Sequence, residues 1–227
     1  MPDLSLEVSR LTLRREAAQL GPISFTLTHP GCWWLTGPSG AGKSLLLESL
    51  AGFHTEAEGG IRISDGTGTR DIRDCAPERR SITLMPQRWR LFPHWNVAHN
   101  LRFAAHLNSN LRGSKQRMRI LQLAQRLQVA HLLKRPTRAL SGGETQRIAL
   151  IQTLLSPAKV LLLDEPLSAV DAALQSAVLE LLGEDSAEYP RICLIAVHRP
   201  HSGHPMQGTL PIEKGQLISE AKPATNS

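Results

Sequence analysis

The sequence predicts an α/β fold with a mixed sheet, an N-terminal antiparallel β-region and an inserted helical subdomain. Three observations carry that prediction. Residues 37–44, Gly-Pro-Ser-Gly-Ala-Gly-Lys-Ser, follow the pattern G-x-x-x-x-G-K-[ST] at every fixed position. An apolar segment, Cys32–Leu35, precedes them and a helix-forming run, Leu45–Ala51, follows, so strand, glycine-rich loop and helix come in turn. Val160-Leu161-Leu162-Leu163 is a continuous apolar run, as expected of a parallel strand covered on both faces. Between them, residues 97–135 are rich in Leu, Gln, Arg and Ala, with Leu121, Ala124, Leu127 and Gln128 on helical spacing.

The remaining elements follow along the chain. Residues 4–13 alternate loosely, as a half-buried strand pair would, and Ile23–Thr28 alternates cleanly up to a turn at His29-Pro30-Gly31. The helix after the glycine-rich loop stops near Gly52. Ile61–Ser64 reads as a strand, Asp65–Thr69 as a turn, and Ser81–Met85 as an apolar segment ending at Pro86-Gln87. Pro136 closes the helical stretch. Beyond Val160–Leu163, a helix is expected over Ala172–Leu182, a strand over Arg191–Val197 and two closing strands over Gly208–Ser219, with a frayed tail. The expected organisation is one domain over 1–227, with a core of about 1–87 and 156–219 and a helical subdomain of about 88–155.

At 227 residues, with 41% hydrophobic and 20% charged residues, the chain suits one globular core and not a disordered segment. No apolar run approaches the ~20 residues that cross a bilayer. Met1–Leu4 lacks the start of a secretion signal, and Cys32, Cys75 and Cys193 stand far apart, which suits a reducing cytosol. The net charge is +6, yet Lys and Arg are spread along the chain without a basic stripe of interleaved aromatics, so nucleic acid is not an expected partner.

The loop supplies the first chemistry. Gly37, Gly40 and Gly42 let the ATP-binding stretch Gly37, Pro38, Ser39, Gly40, Ala41 and Gly42 bend so that its N–H groups, which Pro38 alone lacks, face an anion. The helix N-terminus adds partial positive charge. Lys43 would reach the β- and γ-phosphates of ATP, and the Ser44 hydroxyl would bind Mg²⁺. Asp164 and Glu165 follow the apolar run at its carboxyl end, where ligands gather in parallel sheets. Asp164 is placed to hold Mg²⁺, directly or through water, and Glu165 is the candidate to accept a proton from, or to orient, the attacking water. A P-loop NTPase core is the reading. A second distinctive stretch is Leu140-Ser141-Gly142-Gly143-Glu144-Thr145-Gln146-Arg147, where Ser141 and Glu144 have capping-box spacing. Gly142 and Gly143 cost such a helix start roughly 1 kcal/mol each, so they point to close approach of an anion.

With these motifs in hand, the chain resembles the nucleotide-binding subunit of an ATP-binding cassette (ABC) transporter over about residues 4–219. Leu140–Arg147 resembles the family's signature motif, Gln87 its Q-loop, Ser168–Asp171 its D-loop and His198 its switch histidine. The resemblance implies ATP hydrolysis with Mg²⁺ held by Ser44, Gln87 and Asp164. It also implies a head-to-tail homodimer in which Ser141, Gly142, Gly143 and Glu144 close over the partner's ATP. Glu165, His198 and Gln87 would be the catalytic set, with Asp171 in the D-loop. Transmembrane permease subunits and a solute-binding protein are the implied partners, at the cytoplasmic face of the inner membrane. Pro77–Arg80, Leu91–Val97 and Leu140–Asp171 are similar to importer subunits for molybdate and related oxyanions; the longer ones carry a C-terminal regulatory domain, which is not expected here.

Two departures stand out. Arg199-Pro200 follows His198 where importers carry Asp and an acidic helix, and Leu13-Arg14-Arg15 stands where the family places an aromatic residue against adenine. A guanidinium accepts any purine, so base selectivity is expected to be weak. The histidines His198, His201 and His204 lack Cys or acidic neighbours and are not read as a metal site. The competing readings are a soluble non-transport ABC ATPase, an exporter subunit and a small-molecule kinase; in a kinase the signature stretch would have no task.

Overall fold

The computed structural model describes residues 4–15, 18–168, 170–200, 206–218 and 222–223. β1 (Ser5–Arg15), β2 (Ala18–Thr28), β4 (Glu58–Asp65) and β5 (Gly68–Asp71) form an antiparallel sheet in the order β2-β1-β4-β5. A second sheet holds β3 (Gly31–Thr36), β6 (Ile82–Met85), β7 (Val160–Asp164), β8 (Ile192–Val197) and β9 (Gly208–Glu213) in the order β9-β3-β8-β7-β6, all parallel. Two short antiparallel strands, β10 (Gln216–Leu217) and β11 (Lys222–Pro223), pair with β9 and make this sheet mixed.

Side-chain alternation divides the molecule into two cores. Trp33 and Leu35 of β3, Val160 and Leu162 of β7, and Ile192 and Leu194 of β8 face one way. They pack with Leu46, Leu47 and Leu50 of α1 (Lys43–Ala51) and with the inner face of the antiparallel sheet. Their neighbours Cys32, Trp34, Leu161, Leu163, Cys193 and Ile195 face the other way. There they meet α2 (Val97–His106), α3 (Gly113–Arg126), α4 (Gly142–Leu155) and α5 (Ala172–Glu188). Both faces of β7 and β8 are therefore covered, which is why those strands read as unbroken apolar runs.

Local signals explain most boundaries. Gly52, in the left-handed region at φ 91°, ends α1, and its N–H caps carbonyls of Glu48 and Ser49. Asn96 caps α2 through the His99 N–H, and Asp171 caps α5 through the Leu174 N–H. Four expectations are corrected. Residues 4–13 are one strand with register shifts and not a pair, because β2 and β4 flank it on both sides. Part of the 65–69 turn is strand, as β5 begins at Gly68. The helix expected to end at Leu182 runs to Glu188, because Gly183 is carried within it while Asp185 and Ser186 are buried. Lys222 and Pro223 of the supposed frayed tail pair with Thr209 and Gly208; the rest of that tail lies outside the described residues.

α3 and α5 are tied by charge as well as by apolar contact. Arg119 of α3 pairs with Asp185 of α5, and both are buried. Arg191 is buried too, with its Nε 3.5 Å from the other carboxylate oxygen. Both guanidinium groups lie over the Tyr189 ring, at 4.9 and 5.4 Å from its centre. Burial pushes the Asp185 carboxyl above its ordinary pKa, and the two arginines pull it back.

Candidate functional site

The glycine-rich loop leaves β3 and ends at α1, with Gly40 at φ 75° and Gly42 at φ 101°, conformations that side chains oppose. An added Cβ at Gly37 would collide with the Ile212 carbonyl oxygen of β9. The turn between β9 and β10 supports the loop from behind. The Gly215 N–H donates to the Ala41 carbonyl at 2.9 Å, and the Gly21 N–H of β2 donates to the Gly215 carbonyl at 2.7 Å. Lys43 is buried and its ammonium donates to the carbonyls of Gly37 (2.7 Å) and Pro38 (3.0 Å). Burial lowers its pKa, while the carboxylates of Glu165 and Asp164 oppose that shift.

Asp164 is the last residue of β7 and is buried. Burial raises its pKa, and a hydrogen bond from the Ser44 hydroxyl pulls it down. Ser44 and Asp164 thus stand together behind the loop, an oxygen-donor pair of the kind Mg²⁺ takes alongside phosphates. Among the described residues there is no group of three or more His, Cys, Asp or Glu that could hold a metal ion.

Glu165 is bracketed from two elements. Gln87, just past β6, donates from Nε2 to its Oε2 at 2.8 Å, and Nε2 of His198, the first residue after β8, lies 2.9 Å from its Oε1. The Glu165 backbone is left-handed, at φ 51°, which a non-glycine residue adopts only when its surroundings impose it. Here they do. Its N–H donates to the Ala196 carbonyl at 3.1 Å, while its own carbonyl accepts from Gln146 Nε2 at 2.8 Å and from Ser168 Oγ at 3.1 Å. A cleft of about 330 Å³ opens beside Glu165 and His198, lined also by Leu167, Ser168 and Gln175.

Residues 37–44, Gln87, Asp164, Glu165 and His198 therefore converge at the carboxyl ends of parallel strands. Ser141, Gly142, Gly143 and Glu144 do not join them. They form the start of α4, where the capping box is complete: the Ser141 N–H donates to the Glu144 carboxylate at 2.7 Å and the Glu144 N–H to Ser141 Oγ at 3.2 Å. That first bond holds the Glu144 pKa below its usual value. Ser141 and Gly142 are exposed, and nothing lies within 4 Å of a Cβ built on Gly142. Asp171 caps α5, and Ser168, three residues before it, reaches the Glu165 carbonyl. The histidines at 201 and 204 and Ala169 lie outside the described residues.

The supporting role of Gln146 was missed from sequence, although a glutamine before the apolar run Ile148–Ile151 was a signal: a buried amide needs partners. Arg14 was expected near a base. It is exposed on β1 opposite Gln19, one register step from Leu20, which packs at Gly42.

A mixed sheet with a glycine-rich loop leaving β3 to open α1, and an acidic pair at the end of β7 one strand beyond β8, defines a phosphate-loop nucleotide-binding core. A family model described as "ABC transporter" matches residues 20–168, and the chain belongs to that family. It is 41% identical over 148 residues to a molybdate/tungstate import ATP-binding protein of Archaeoglobus fulgidus, a match covering 65% of this chain and 59% of that protein. It is 43% identical over 142 residues to a maltose/maltodextrin import ATP-binding protein of Escherichia coli K12, over 61% of this chain and 36% of the relative. A solved ATP-binding subunit of an ABC transporter shares the fold, with a TM-score of 0.82 over 96% of this chain and 89% of that one at 22% identity. Among the described residues no helix is long and apolar enough to cross a membrane.

Proposed function

We infer that this chain is the ATP-binding and ATP-hydrolysing subunit of an ABC importer, seated peripherally on the cytoplasmic face of the inner membrane against transmembrane permease subunits. The observation that carries the reading is the Glu165 carboxylate, held between Gln87 and His198 beside the phosphate loop. Lys43 and the loop N–H groups would bind the phosphates, and Lys43 would exchange its two carbonyl contacts for them. Ser44 and Asp164, with Gln87, would hold Mg²⁺, which when bound neutralises charge between the β- and γ-phosphates. Glu165 would take the proton of the attacking water, and His198 would fix the direction of that carboxylate. The relatives named for molybdate or tungstate and for maltose or maltodextrin are alike in identity to this chain. Identity to this chain therefore does not favour one solute over the other, and a solute-binding protein would make that choice.

The exposed start of α4 supports a two-fold dimer, in which Ser141–Glu144 of one copy meets the nucleotide of the other. In a Glu165→Gln variant, which would trap ATP, light scattering should give a monomer without nucleotide and a dimer with ATP and Mg²⁺. A monomer at saturating ATP would count against the composite site.

The permease contact would fall on the loop Gln87–Val97, and the exposed aromatic side chains there support that reading. Trp89 and Leu91 turn inward, with Trp89 donating to Gln152 at 2.7 Å. Phe92 and Trp95 stay exposed and are joined by Phe103 of α2, ring centres lying 4.8 to 5.5 Å apart. A three-ring exposed patch fits a partner surface better than solvent. Phe92→Asp should abolish co-purification of the permease while the circular-dichroism spectrum is unchanged; an intact complex would remove this patch from the interface.

A further inference from the structure

The Lys and Arg residues are spread along the chain, but the Asp and Glu residues are not. Between Glu78 and Glu144 there is no acidic residue at all. Residues 88–155 carry twelve Lys and Arg against one acid, Glu144, a net charge of +11; the rest carries fourteen against nineteen, a net −5. Some of these cations have structural partners: Arg119 and Arg126 pair with Asp185 and Glu184 on α5, and Arg135 with Glu144. Arg88, Arg90, Arg102, Arg112, Lys115 and Arg117 are exposed, and among the described residues none of them is in an ion pair.

Exposed apolar side chains share this surface. α2 and α3 pack on α4 and on each other, which leaves the exposed side of each turned away from α4. α2 presents Arg102, with Leu107 just past its end, and α3 presents Lys115, Arg117, Met118 and Leu121. Leu107 is 64% exposed, Met118 71% and Leu121 45%. Aliphatic side chains gain nothing from a phosphodiester backbone, whereas at a lipid surface they enter the headgroup boundary while arginine and lysine hold anionic headgroups. One acidic helix of a permease would need only a few cations; six exposed cations outside any ion pair among the described residues, in a stretch without an acidic residue from Arg79 to Gly143, match an extended anionic surface.

We propose that the exposed face of α2 and α3 binds anionic phospholipid directly, so that this chain has its own contact with the bilayer besides any made through a permease. The juxtaposition of unpaired cations with exposed Leu107, Met118 and Leu121 carries it. The inference does not depend on ATP hydrolysis, and its test includes neither nucleotide nor permease.

The purified chain should co-sediment with protein-free vesicles of phosphatidylcholine and phosphatidylglycerol, at least about tenfold more strongly than with phosphatidylcholine alone, and salt should weaken the binding. Lys115→Glu with Arg117→Glu should lose about tenfold or more, because each basic residue near an anionic surface contributes on its own. Met118→Ser with Leu121→Ser should lose severalfold at unchanged charge. Arg70→Glu, an exposed reversal on β5, should bind as the parent does. Equal binding to both vesicle types, no vesicle binding, or a parent chain that binds duplex DNA or RNA but not anionic vesicles would each overturn the proposal. The last would assign the charge to nucleic acid instead.

Discussion

Replacing Glu165 by Gln should slow ATP hydrolysis by about 10²–10⁴-fold while leaving ATP binding near the parent value, because an amide cannot take the proton that a positioned carboxylate takes. The geometry keeps this substitution clean. The left-handed backbone at residue 165 is held by main-chain bonds to Ala196, Gln146 and Ser168, none of which uses the carboxylate. A glutamine is nearly the same size, though it can satisfy only one of the contacts from Gln87 and His198 as an acceptor. Phosphate release under single-turnover conditions and binding of a fluorescent ATP analogue measure the two quantities separately. Turnover at the parent rate would remove Glu165 as the base, and a parallel loss of binding would mean that the substitution had disturbed the loop.

The second large effect concerns stability. Asp185→Ala should destabilise the fold by about 3–5 kcal/mol, since it leaves Arg119 and Arg191 buried beside Tyr189 without their carboxylate. At about 2–4 °C per kcal/mol for a chain of this size, the melting temperature should fall by roughly 6–20 °C. The lost attraction alone does not set this cost; the larger part is the charge stranded away from water. Arg119→Met combined with Asp185→Leu should therefore melt above Asp185→Ala, although it removes more of the native interaction. Differential scanning calorimetry decides between the accounts, and a double variant melting lower than the single would refute the stranded-charge explanation.

Much of this architecture was legible because its signals are local. A phosphate loop is a contiguous pattern, and Val160–Leu163 is apolar throughout because helices cover one face and α1 with the antiparallel sheet the other. Asp164 and Glu165 could be placed by position alone, at the end of such a strand. What escaped depends on residues meeting across the fold. β5 is exposed at all four positions, so no apolar alternation marks it. The helix expected to end at Leu182 continues through Gly183, and the burial of Asp185 between two arginines accounts for that. Gln146 belongs to the start of α4 by sequence but serves Glu165, nineteen residues on. Phe103 joins Phe92 and Trp95 only after α2 has been oriented.

The phosphate loop also leans on residues from far along the chain. Ile212 closes over Gly37, and the Gly215 turn is bonded to Ala41 on one side and Gly21 on the other. Translation therefore runs well ahead of assembly. When the ribosome has released β3, the loop and α1, the wall behind that loop is still some 160 codons away, by the distance from Ala51 to Ile212. Side chains and peptide groups made early wait for others made late, as in any domain that folds as a unit. The anion cradle gains its final shape only once the polypeptide has emerged through Gly215, so a nascent chain shorter than that has the motif without the cradle.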